Sequence, residues 1–387
     1  EKHFINLINK LNKNLFMNNN CKICNSNKFN IILNKKRSKI FTNREDSKFD
    51  NKKLICKLHQ CESCNFIFQK PSENLRLYLT NIYKSKFSQL SQPFGEGNWG
   101  KERFNLLKGK LDLVYRFKKK SILEIGCGNG FILEYLNSQK FNDLSGVDPS
   151  IIKKKNKNSI KFYKKFVGKK LDLKKKYDFI FSIGFYEHVF DINEITQFSI
   201  NHLKNNGNIF LIVPNFKKSL ETGNPDLFAH EHINYFTKDS LINHLKNFSL
   251  KVDKDLSDIH SICLYIKKFN NNYIKKNYKS IDFNYSKKLN KNIEKVINLI
   301  KKNKCIVHGA CNSLNNIISW TSKIYDFHLV DNDQNKIGKI FFGKRVNSIE
   351  KTNLDLYKYV IIIPSYFKND IKKVYIKSGF NGKFISL

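Results

Sequence analysis

The sequence of 387 residues lacks any run of about 18 apolar residues, and its N-terminal segment lacks the apolar core of a secretion signal. Nothing therefore indicates a membrane span or export, and we expect a cytoplasmic protein. In that reducing compartment, the nine cysteines are expected to be thiols or metal ligands rather than disulfides. Residues 1–16, which precede the only methionine, Met17, are predicted to form a short polar amphipathic leader helix.

Acidic residues are few, because 33 Asp and Glu face 70 Lys and Arg and give a formal charge of +37. Such an excess first suggests a nucleic-acid partner. The cations are almost all lysines spread through the chain beside many Asn and Ile, a bias that an AT-rich genome also produces. The arginines do not cluster along the chain: Arg37, Arg44, Arg76, Arg103, Arg116 and Arg345. We therefore expect no nucleic acid, although the charge would attract an acidic small substrate.

Residues 121–150 show the pattern of one βαβ unit. The apolar run Ser121–Ile125 predicts a strand, and a glycine-rich turn follows it. Apolar residues then recur at helical spacing, and a second strand ends at Asp148. Ligands of open α/β sheets bind at the carboxyl ends of the strands, where glycines let the backbone approach them. A small-molecule site is therefore expected at this turn.

The turn lacks the G-x-G-x-x-G spacing of dinucleotide sites. It has instead G-x-G-x-G, preceded by Glu124 and followed by Val-Asp at Asp148. This pattern resembles the fingerprint of class I S-adenosylmethionine methyltransferases. The resemblance implies that Gly126, Gly128, Asn129 and Gly130 approach the cofactor, and that Asp148 accepts hydrogen bonds from its ribose hydroxyls. A Rossmann-like domain that holds another ligand is the alternative.

Two C-x2-C pairs, Cys21/Cys24 and Cys61/Cys64, are separated by 36 residues. Two such knuckles predict a closed tetrahedral zinc site that stabilises a small domain, although thiolate tetrads also accept iron. Cys56 is the alternative ligand near the second pair. The interval between the pairs is basic, so a nucleic-acid grip is the competing interpretation.

Later segments offer further candidate site residues. Residues 66–120 form a linker or a lid that contains Tyr83, and they become helical over Arg103–Val114. The strand Phe179–Ile183 precedes a loop with His188, which is either a site residue at the sheet edge or a core or capping histidine. A helix, Gly207 and a strand over Ile209–Val213 follow.

The stretch His230-Glu231-His232 lies shortly before Tyr235 and lacks the H-E-x-x-H spacing of zinc proteases. In a strand or turn, His230 and His232 would point the same way, with Glu231 opposite. We therefore favour acid–base chemistry over metal binding. Thr237 or Asp239 is expected to cap the next helix, and a strand pair over Asp255–Lys267 is expected to place Ser261–Ile266 at the sheet edge.

Residues 269–387 repeat the strand, glycine and helix theme after a helix over Leu289–Lys301. The turn has only Gly309-Ala310, and a second strand ends at Asp331. The predicted fold class is therefore α/β with three domains. They are a zinc-binding domain (17–75), a Rossmann-like domain (76–268, with 76–120 as linker or lid) and a smaller Rossmann-like domain (269–387).

The whole order resembles the three-domain, zinc-ribbon-containing C-methyltransferases that act on nucleotide-linked deoxysugars. The resemblance rests on the four cysteines, the glycine turn, H-E-H-x-x-Y-F and D-N-D-x-x-K-x-G-K from Asp331 to Lys339. It implies that the carbon next to a keto group loses a proton and that the enolate attacks the methyl group. The implied base is His232 or Glu231, with His188 close by, and the implied substrate contacts are Tyr83, Tyr235 and His230.

The sequence departs from that family at Ala229, where the family usually has a tyrosine. Tyr235, Tyr83 or Tyr186 is expected to supply the missing phenol, or the acceptor is an oxygen or nitrogen of a different sugar. Two alternatives remain: an RNA methyltransferase that grips RNA with the ribbon, and a non-catalytic assembly of two Rossmann-like domains that acts as a binding module.

Overall fold

The computed structural model describes residues 20–37, 54–84, 95, 97–151, 160–226, 228–269, 281–321, 325–341, 343–364 and 367–386. The leader helix predicted for residues 1–16 lies outside these ranges. The described strands are β1 (Phe29–Arg37), β2 (Leu54–Cys61), β3 (Ile67–Gln69), β4 (Ile122–Ile125), β5 (Leu144–Val147), β6 (Ile160–Tyr163), β7 (Tyr177–Ile183), β8 (Leu203–Pro214), β9 (Asn234–Tyr235), β10 (Leu250–Asp255), β11 (Ser261–Lys268), β12 (Cys305–His308), β13 (His328–Val330), β14 (Ile340–Phe341), β15 (Lys344–Arg345), β16 (Tyr359–Ile362) and β17 (Lys383–Ser386).

The described helices are α1 (Glu73–Lys84), α2 (Gly97–Lys108), α3 (Phe131–Ser138), α4 (Ile192–Asn201), α5 (Lys217–Thr222), α6 (Lys238–Lys246), α7 (Tyr285–Lys302), α8 (Asn312–Thr321) and α9 (Lys368–Lys377). Short 3₁₀ segments cover Gly109–Phe117 and Leu354–Leu356. The helix predicted over Arg103–Val114 therefore changes to 3₁₀ geometry at Gly109. None of the described helices has the length and apolar content needed to cross a bilayer.

The central sheet has the order β10-β11-β8-β7-β4-β5-β6. Strands β4 to β8 are parallel, and β11 pairs antiparallel with β8. The strand order reverses between β4 and β7, so the carboxyl ends of these two strands flank the crevice where doubly wound sheets bind ligands. The βαβ unit predicted over 121–150 is confirmed as β4, α3 and β5.

The prediction that Ser261–Ile266 forms the edge of the sheet is wrong. The strand β11 lies inside the sheet between β10 and β8, and β10 forms the edge. The reason is visible in the side chains, because β11 carries the continuous buried run Ile262–Ile266, whereas β10 is mostly exposed and carries Lys and Asp. Continuous apolar runs suit central strands, and charges suit edges.

A second sheet, β1-β2-β3-β9, joins the cysteine-containing segment to the central part of the chain. Its last strand, β9, comes from residues well beyond the predicted 75/76 domain boundary. Side chains of this sheet share one apolar core with α7 and α8, including Leu58, Tyr235, Leu289 and Leu314. A third sheet, β13-β12-β16-β17, is parallel throughout, and its side chains are divided between a core of its own and the core of the second sheet. The domain boundaries themselves stay predictions.

Helix α6 begins next to both residues that were predicted to cap it, Thr237 and Asp239. Thr237 accepts a hydrogen bond from the Ser240 N–H at 3.3 Å, and Ser240 Oγ accepts one from the Thr237 N–H at 3.0 Å, so Thr237 is the cap. We expect Thr237→Ala to lower the free energy of unfolding by about 1 kcal/mol. Urea unfolding, monitored by circular dichroism, measures this free energy of unfolding. Asp239→Ala is the control, and an equal or larger loss there would contradict the assignment.

Candidate functional site

The glycine turn follows β4 directly at the point where the strand order reverses. Gly126, Gly128 and Gly130 have φ values of +76°, +53° and +78°, a backbone region that other residues adopt only with strain. The Gly126 N–H donates to the Val147 carbonyl at 2.9 Å, which holds the turn against β5. Asn129 Oδ1 accepts from the Phe131 N–H at 3.1 Å and secures the start of α3.

Two aromatic rings occupy the space where side chains on these glycines would lie. A Cβ on Gly126 would come within 2.5 Å of the Phe185 ring, and one on Gly130 within 2.6 Å of the Phe162 ring. Glycine is therefore needed for close approach of neighbouring loops as well as for the φ value. Phe185 belongs to the loop after β7, so the turn and that loop lie in direct contact.

Asp148 follows β5 and is anchored by its neighbours. Its carboxylate accepts from the Gly128 N–H at 3.0 Å, the Ser150 N–H at 2.8 Å and the Ser150 hydroxyl at 2.5 Å. A carboxylate has about four acceptor positions, so capacity remains for a ligand hydroxyl. Glu124 lies buried in β4, and burial followed by the charge of Asp148 raises its pKa well above the usual range. Its Oε2 atom has no hydrogen-bond partner among the described residues.

The second part of the site is a cluster of Glu187, His188 and His232. Their ligand atoms all lie within 4.8 Å of one another, and the two imidazole centroids are 5.0 Å apart. His230 is fully buried and lies outside this cluster. The structure therefore pairs His232 with His188 from the loop after β7, and not with its neighbour in the H-E-H stretch.

Backbone hydrogen bonds explain this pairing. The N–H groups of Ile233 and Asn234 both donate to the Glu187 carbonyl, at 2.7 and 3.0 Å. The Asn234 side-chain amide donates to the carbonyls of Tyr186 at 2.9 Å and Val189 at 2.8 Å. The stretch around His232 is thus fixed directly to the loop after β7.

Tyr83 reaches the same cluster from α1. Its hydroxyl lies 3.4 Å from His188 Nδ1. Burial raises the pKa of Tyr83 well above its usual range, and the carboxylates of Glu231, Glu187 and Asp148 raise it further. The phenol therefore stays protonated. The charges that act on it come from both the H-E-H stretch and the end of β5.

The other predicted tyrosines occupy structural positions. Tyr235 is fully buried, and its hydroxyl donates to the Ala229 carbonyl at 3.2 Å and accepts from the Ala229 N–H at 3.3 Å. Its ring packs edge to face with His232 at 6.1 Å. Tyr186 is buried and accepts from the Thr196 hydroxyl at 3.4 Å. Of the three phenols expected to serve the site, Tyr83 is the one that contacts His188.

Burial sets the charges of the cluster. It lowers the pKa of His188 to about 4, with a smaller contribution from Arg103, and it raises the pKa of Glu187 to about 8. His188 is therefore neutral at pH 7. Its Nδ1–H donates to the Glu231 carbonyl at 3.1 Å, so its Nε2 lone pair faces Glu187 Oε1 at 3.8 Å.

The sequence reasoning missed the roles of Glu187 and Arg103. A Cβ on Gly184 would lie 3.5 Å from Glu187 Oε1 and 3.8 Å from Arg103 Nη2, so the Glu187 carboxyl and the Arg103 guanidinium share one side of the cluster. The Glu-His dipeptide after an apolar strand was the available signal for Glu187. Arg103 comes from α2, and no local pattern relates that helix to the loop after β7.

Two imidazoles and a carboxylate are also a possible ligand set for a divalent cation. Arg103 already places a positive charge beside Glu187, which opposes the binding of a second cation there. Acid–base chemistry therefore remains the better interpretation of this cluster.

The four predicted cysteine ligands lie together. The sulfur atoms of Cys21 and Cys64 are 3.5 Å apart, those of Cys24 and Cys61 are 3.4 Å apart, and all four lie within 4.8 Å of one another. Zn–S bonds of about 2.3 Å in a tetrahedron require a similar spacing.

The two cysteine knuckles have matching backbone geometry. The N–H groups of Asn25 and Asn65 donate to the carbonyls of Cys21 and Cys61, both at 2.9 Å, and both asparagines have φ of +59°. Cys56 is a core residue of β2 outside the tetrad and does not act as the alternative ligand.

Residues 99–254 match the family model described as a methyltransferase domain. The chain is also similar to the solved structure of an S-adenosylmethionine-dependent methyltransferase from Clostridium acetobutylicum, at 15% identity and a TM-score of 0.35 over 50% of this chain and 99% of that one. A second similar structure is an S-adenosylmethionine-dependent methyltransferase from Mesorhizobium loti. Its sequence identity is 12% and its TM-score is 0.34, over 44% of this chain and 99% of that one. The structure of the DhpI–SAH complex is also similar, at 10% identity and a TM-score of 0.37 over 52% of this chain and 100% of that one. The comparison with curated proteins found no match.

The family match covers the glycine turn, Asp148 and the cluster around His188. Residues 99–254 are therefore similar to a methyltransferase domain. The site residues fit S-adenosylmethionine, because the half-buried Asp148 retains acceptor capacity for a hydroxyl and Glu124 carries a buried oxygen without a partner among the described residues.

The sulfur geometry predicts about one bound metal ion per chain. We expect Cys61→Ser to lose this ion, because serine replaces a thiolate ligand, whereas Cys56→Ser should keep it. Elemental analysis of the purified proteins by mass spectrometry measures the metal content. A full metal complement in the Cys61→Ser protein would remove the tetrad as the binding site.

Proposed function

We propose that the protein transfers a methyl group from S-adenosylmethionine to a nucleotide-linked deoxysugar, at the carbon next to a keto group and through an enolate. The observation that carries this proposal is the cluster of Tyr83, His188 and His232 beside the glycine turn. When bound, the cofactor supplies an electrophilic methyl group. The protein must supply a base for the C–H proton and a donor for the developing oxyanion.

His232 is the proposed base. It is half-buried, whereas His230 is fully buried, so His232 is the histidine of the H-E-H stretch that a substrate can reach. Phe216 and Tyr235 pack edge to face against its ring at 5.5 and 6.1 Å and restrict its orientation. A positioned base of this kind contributes about 10²- to 10⁴-fold to the rate.

Glu231 and His188 support this base in different ways. The Glu231 carbonyl accepts from His188 Nδ1 at 3.1 Å, so the two loops hold each other at the point where the substrate would lie. The low pKa of His188 keeps its ring uncharged, so it places no second positive charge beside His232 when that residue takes up a proton.

Tyr83 is the proposed donor to the oxyanion. Ala229 stands where the related C-methyltransferases have a tyrosine, and Tyr83 offers a phenol 3.4 Å from His188 Nδ1. Its raised pKa keeps the proton on the phenol, so it can donate to a developing negative charge. One such donor is worth about 10²- to 10³-fold in rate.

One prediction from the proposed function concerns cofactor binding. We expect Asp148→Ala to weaken binding of S-adenosylhomocysteine at least about tenfold, because hydrogen bonds from ribose hydroxyls to a carboxylate are lost. Calorimetric titration measures the dissociation constant. The control is Asp143→Ala, which removes an exposed ion pair with Lys175 at the opposite end of β5. Equal affinities of the wild type and Asp148→Ala would exclude Asp148 from the cofactor site.

Another prediction from the proposed function concerns abstraction of the substrate proton. With S-adenosylhomocysteine present, the wild type should catalyse deuterium exchange from D₂O into thymidine diphosphate-4-keto-6-deoxyglucose at the carbon next to the keto group. We expect His232→Asn to slow this exchange about 10²-fold or more while cofactor affinity is kept. Mass spectrometry of the sugar follows the exchange.

The exposed His260 offers a matched control, and His260→Asn should exchange at the wild-type rate. Exchange by His232→Asn at that same rate would remove His232 as the base. Methyl transfer by the wild type without any exchange would instead indicate an oxygen or nitrogen acceptor, because a heteroatom nucleophile requires no C–H deprotonation.

A further inference from the structure

Gln69 connects the cysteine-containing sheet to the loop that carries His232. It is the last residue of β3 and is 3% exposed. Its side-chain amide nitrogen lies within hydrogen-bond distance of the carbonyls of Ala229 at 2.9 Å and His230 at 3.3 Å and of the His232 carbonyl, and its two N–H groups are shared among these three acceptors. Its backbone N–H donates to the Ile233 carbonyl at 2.8 Å. One residue therefore contacts four carbonyls of the loop over residues 229–233.

The same loop is fixed on its other side by the central sheet. Its contacts there are the bonds of Ile233 and Asn234 to the Glu187 carbonyl and the bond of His188 to the Glu231 carbonyl. The loop thus lies between two supports, the loop after β7 and Gln69, and the Tyr235 hydroxyl also holds its first residue, Ala229. The first support sets its distance from His188, and the second sets the path of the backbone on either side of His232.

Gln69 is itself positioned by the cysteine knuckle. The strand β3 pairs with β2, where Leu58 lies opposite Gln69, and β2 ends at Cys61. The Cys61 N–H donates to the Phe66 carbonyl at 2.9 Å, which closes the knuckle onto the start of β3. Only a few residues of continuous sheet separate the sulfur cluster from the amide of Gln69.

We propose that Gln69 is a positioning residue for methyl transfer, and that through it the cysteine-containing sheet forms part of the active site. It acts through the backbone of residues 229–233 and does not touch the substrate. This inference rests on the proposed role of His232. A misplacement of a reacting group by about 1 Å costs roughly 10²-fold in rate, so loss of one support has a measurable effect.

A second buried glutamine of the same sheet provides a matched control. Gln60 is 5% exposed, and its side-chain amide donates to the Ile281 carbonyl at 2.7 Å and to Asn65 Oδ1 at 3.3 Å. Those two groups lie outside the loop over residues 229–233. Gln60→Leu and Gln69→Leu therefore remove the same chemical group from the same sheet, and the His232 loop loses its bonds to a glutamine side chain in Gln69→Leu alone.

The test is the rate of deuterium exchange into the keto sugar, divided by the number of S-adenosylhomocysteine sites counted by calorimetry. We expect Gln69→Leu to lower this rate about 10- to 100-fold, with cofactor affinity and metal content unchanged, and Gln60→Leu to keep the wild-type rate. A purely structural role would reduce the number of sites and leave the rate per site unchanged in both variants. That result would overturn the proposal.

Gln69→Asn is the milder variant if Gln69→Leu does not fold. It keeps the amide but shortens the side chain, so an intermediate loss of rate per site is expected. A wild-type rate per site in Gln69→Asn, together with wild-type histidine spectra, would contradict the proposal.

A spectroscopic measurement separates this proposal from the choice of substrate. In protein with ¹³C-labelled histidine, the His232 ring signal, assigned with His232→Asn, should shift or broaden in Gln69→Leu and in Gln69→Asn while the His260 signal stays in place. If the wild type fails to exchange the keto sugar, the proposed function fails, and this spectrum still decides the role of Gln69. An unchanged His232 signal in both variants would overturn it.

Discussion

The site depends on one carbonyl group, that of Glu187, which accepts the N–H groups of both Ile233 and Asn234. This interaction joins the loop after β7 to a stretch more than 40 residues further along the chain, and it places His232 beside His188. Gly126 contributes from the other side, because its missing side chain lets Phe185 of the same loop lie against the glycine turn. The glycine turn and the cluster of Glu187, His188 and His232 are therefore parts of one packed unit at the reversal of the strand order.

Burial then decides the chemistry of this unit. Burial disfavours the charged form of each group, so His188 and Glu187, which are next to each other in sequence, have pKa values shifted in opposite directions, to about 4 and about 8. Arg103 opposes the shift of Glu187 and adds to that of His188. A neutral imidazole, a protonated phenol on Tyr83 and a half-buried His232 are the groups on which the proposed proton abstraction relies.

Local patterns in the sequence predicted much of the fold. The elements β4, α3, β5 and β7 follow from short-range preferences, because apolar periodicity and glycine at positive φ act within a few residues. Side-chain capping is equally local, but the sequence left Thr237 and Asp239 as alternative caps and the structure decided for Thr237. The cysteine tetrad was also predictable, since each knuckle is a local turn and only its partner is distant. The edge of the central sheet was predicted wrongly, although the continuous apolar run of β11 carried the correct information.

The sequence by itself determined the candidate residues for this site, which include the glycine turn, Asp148, His188, His232, Tyr83 and the four cysteines. Only the tertiary structure decided which of them meet. The sequence could not tell that His230 and Tyr235 are buried, that Tyr83 and Arg103 approach from α1 and α2, or that Gln69 holds the His232 loop. The physical reason is that these contacts join elements far apart in the chain, and packing between elements leaves no local pattern.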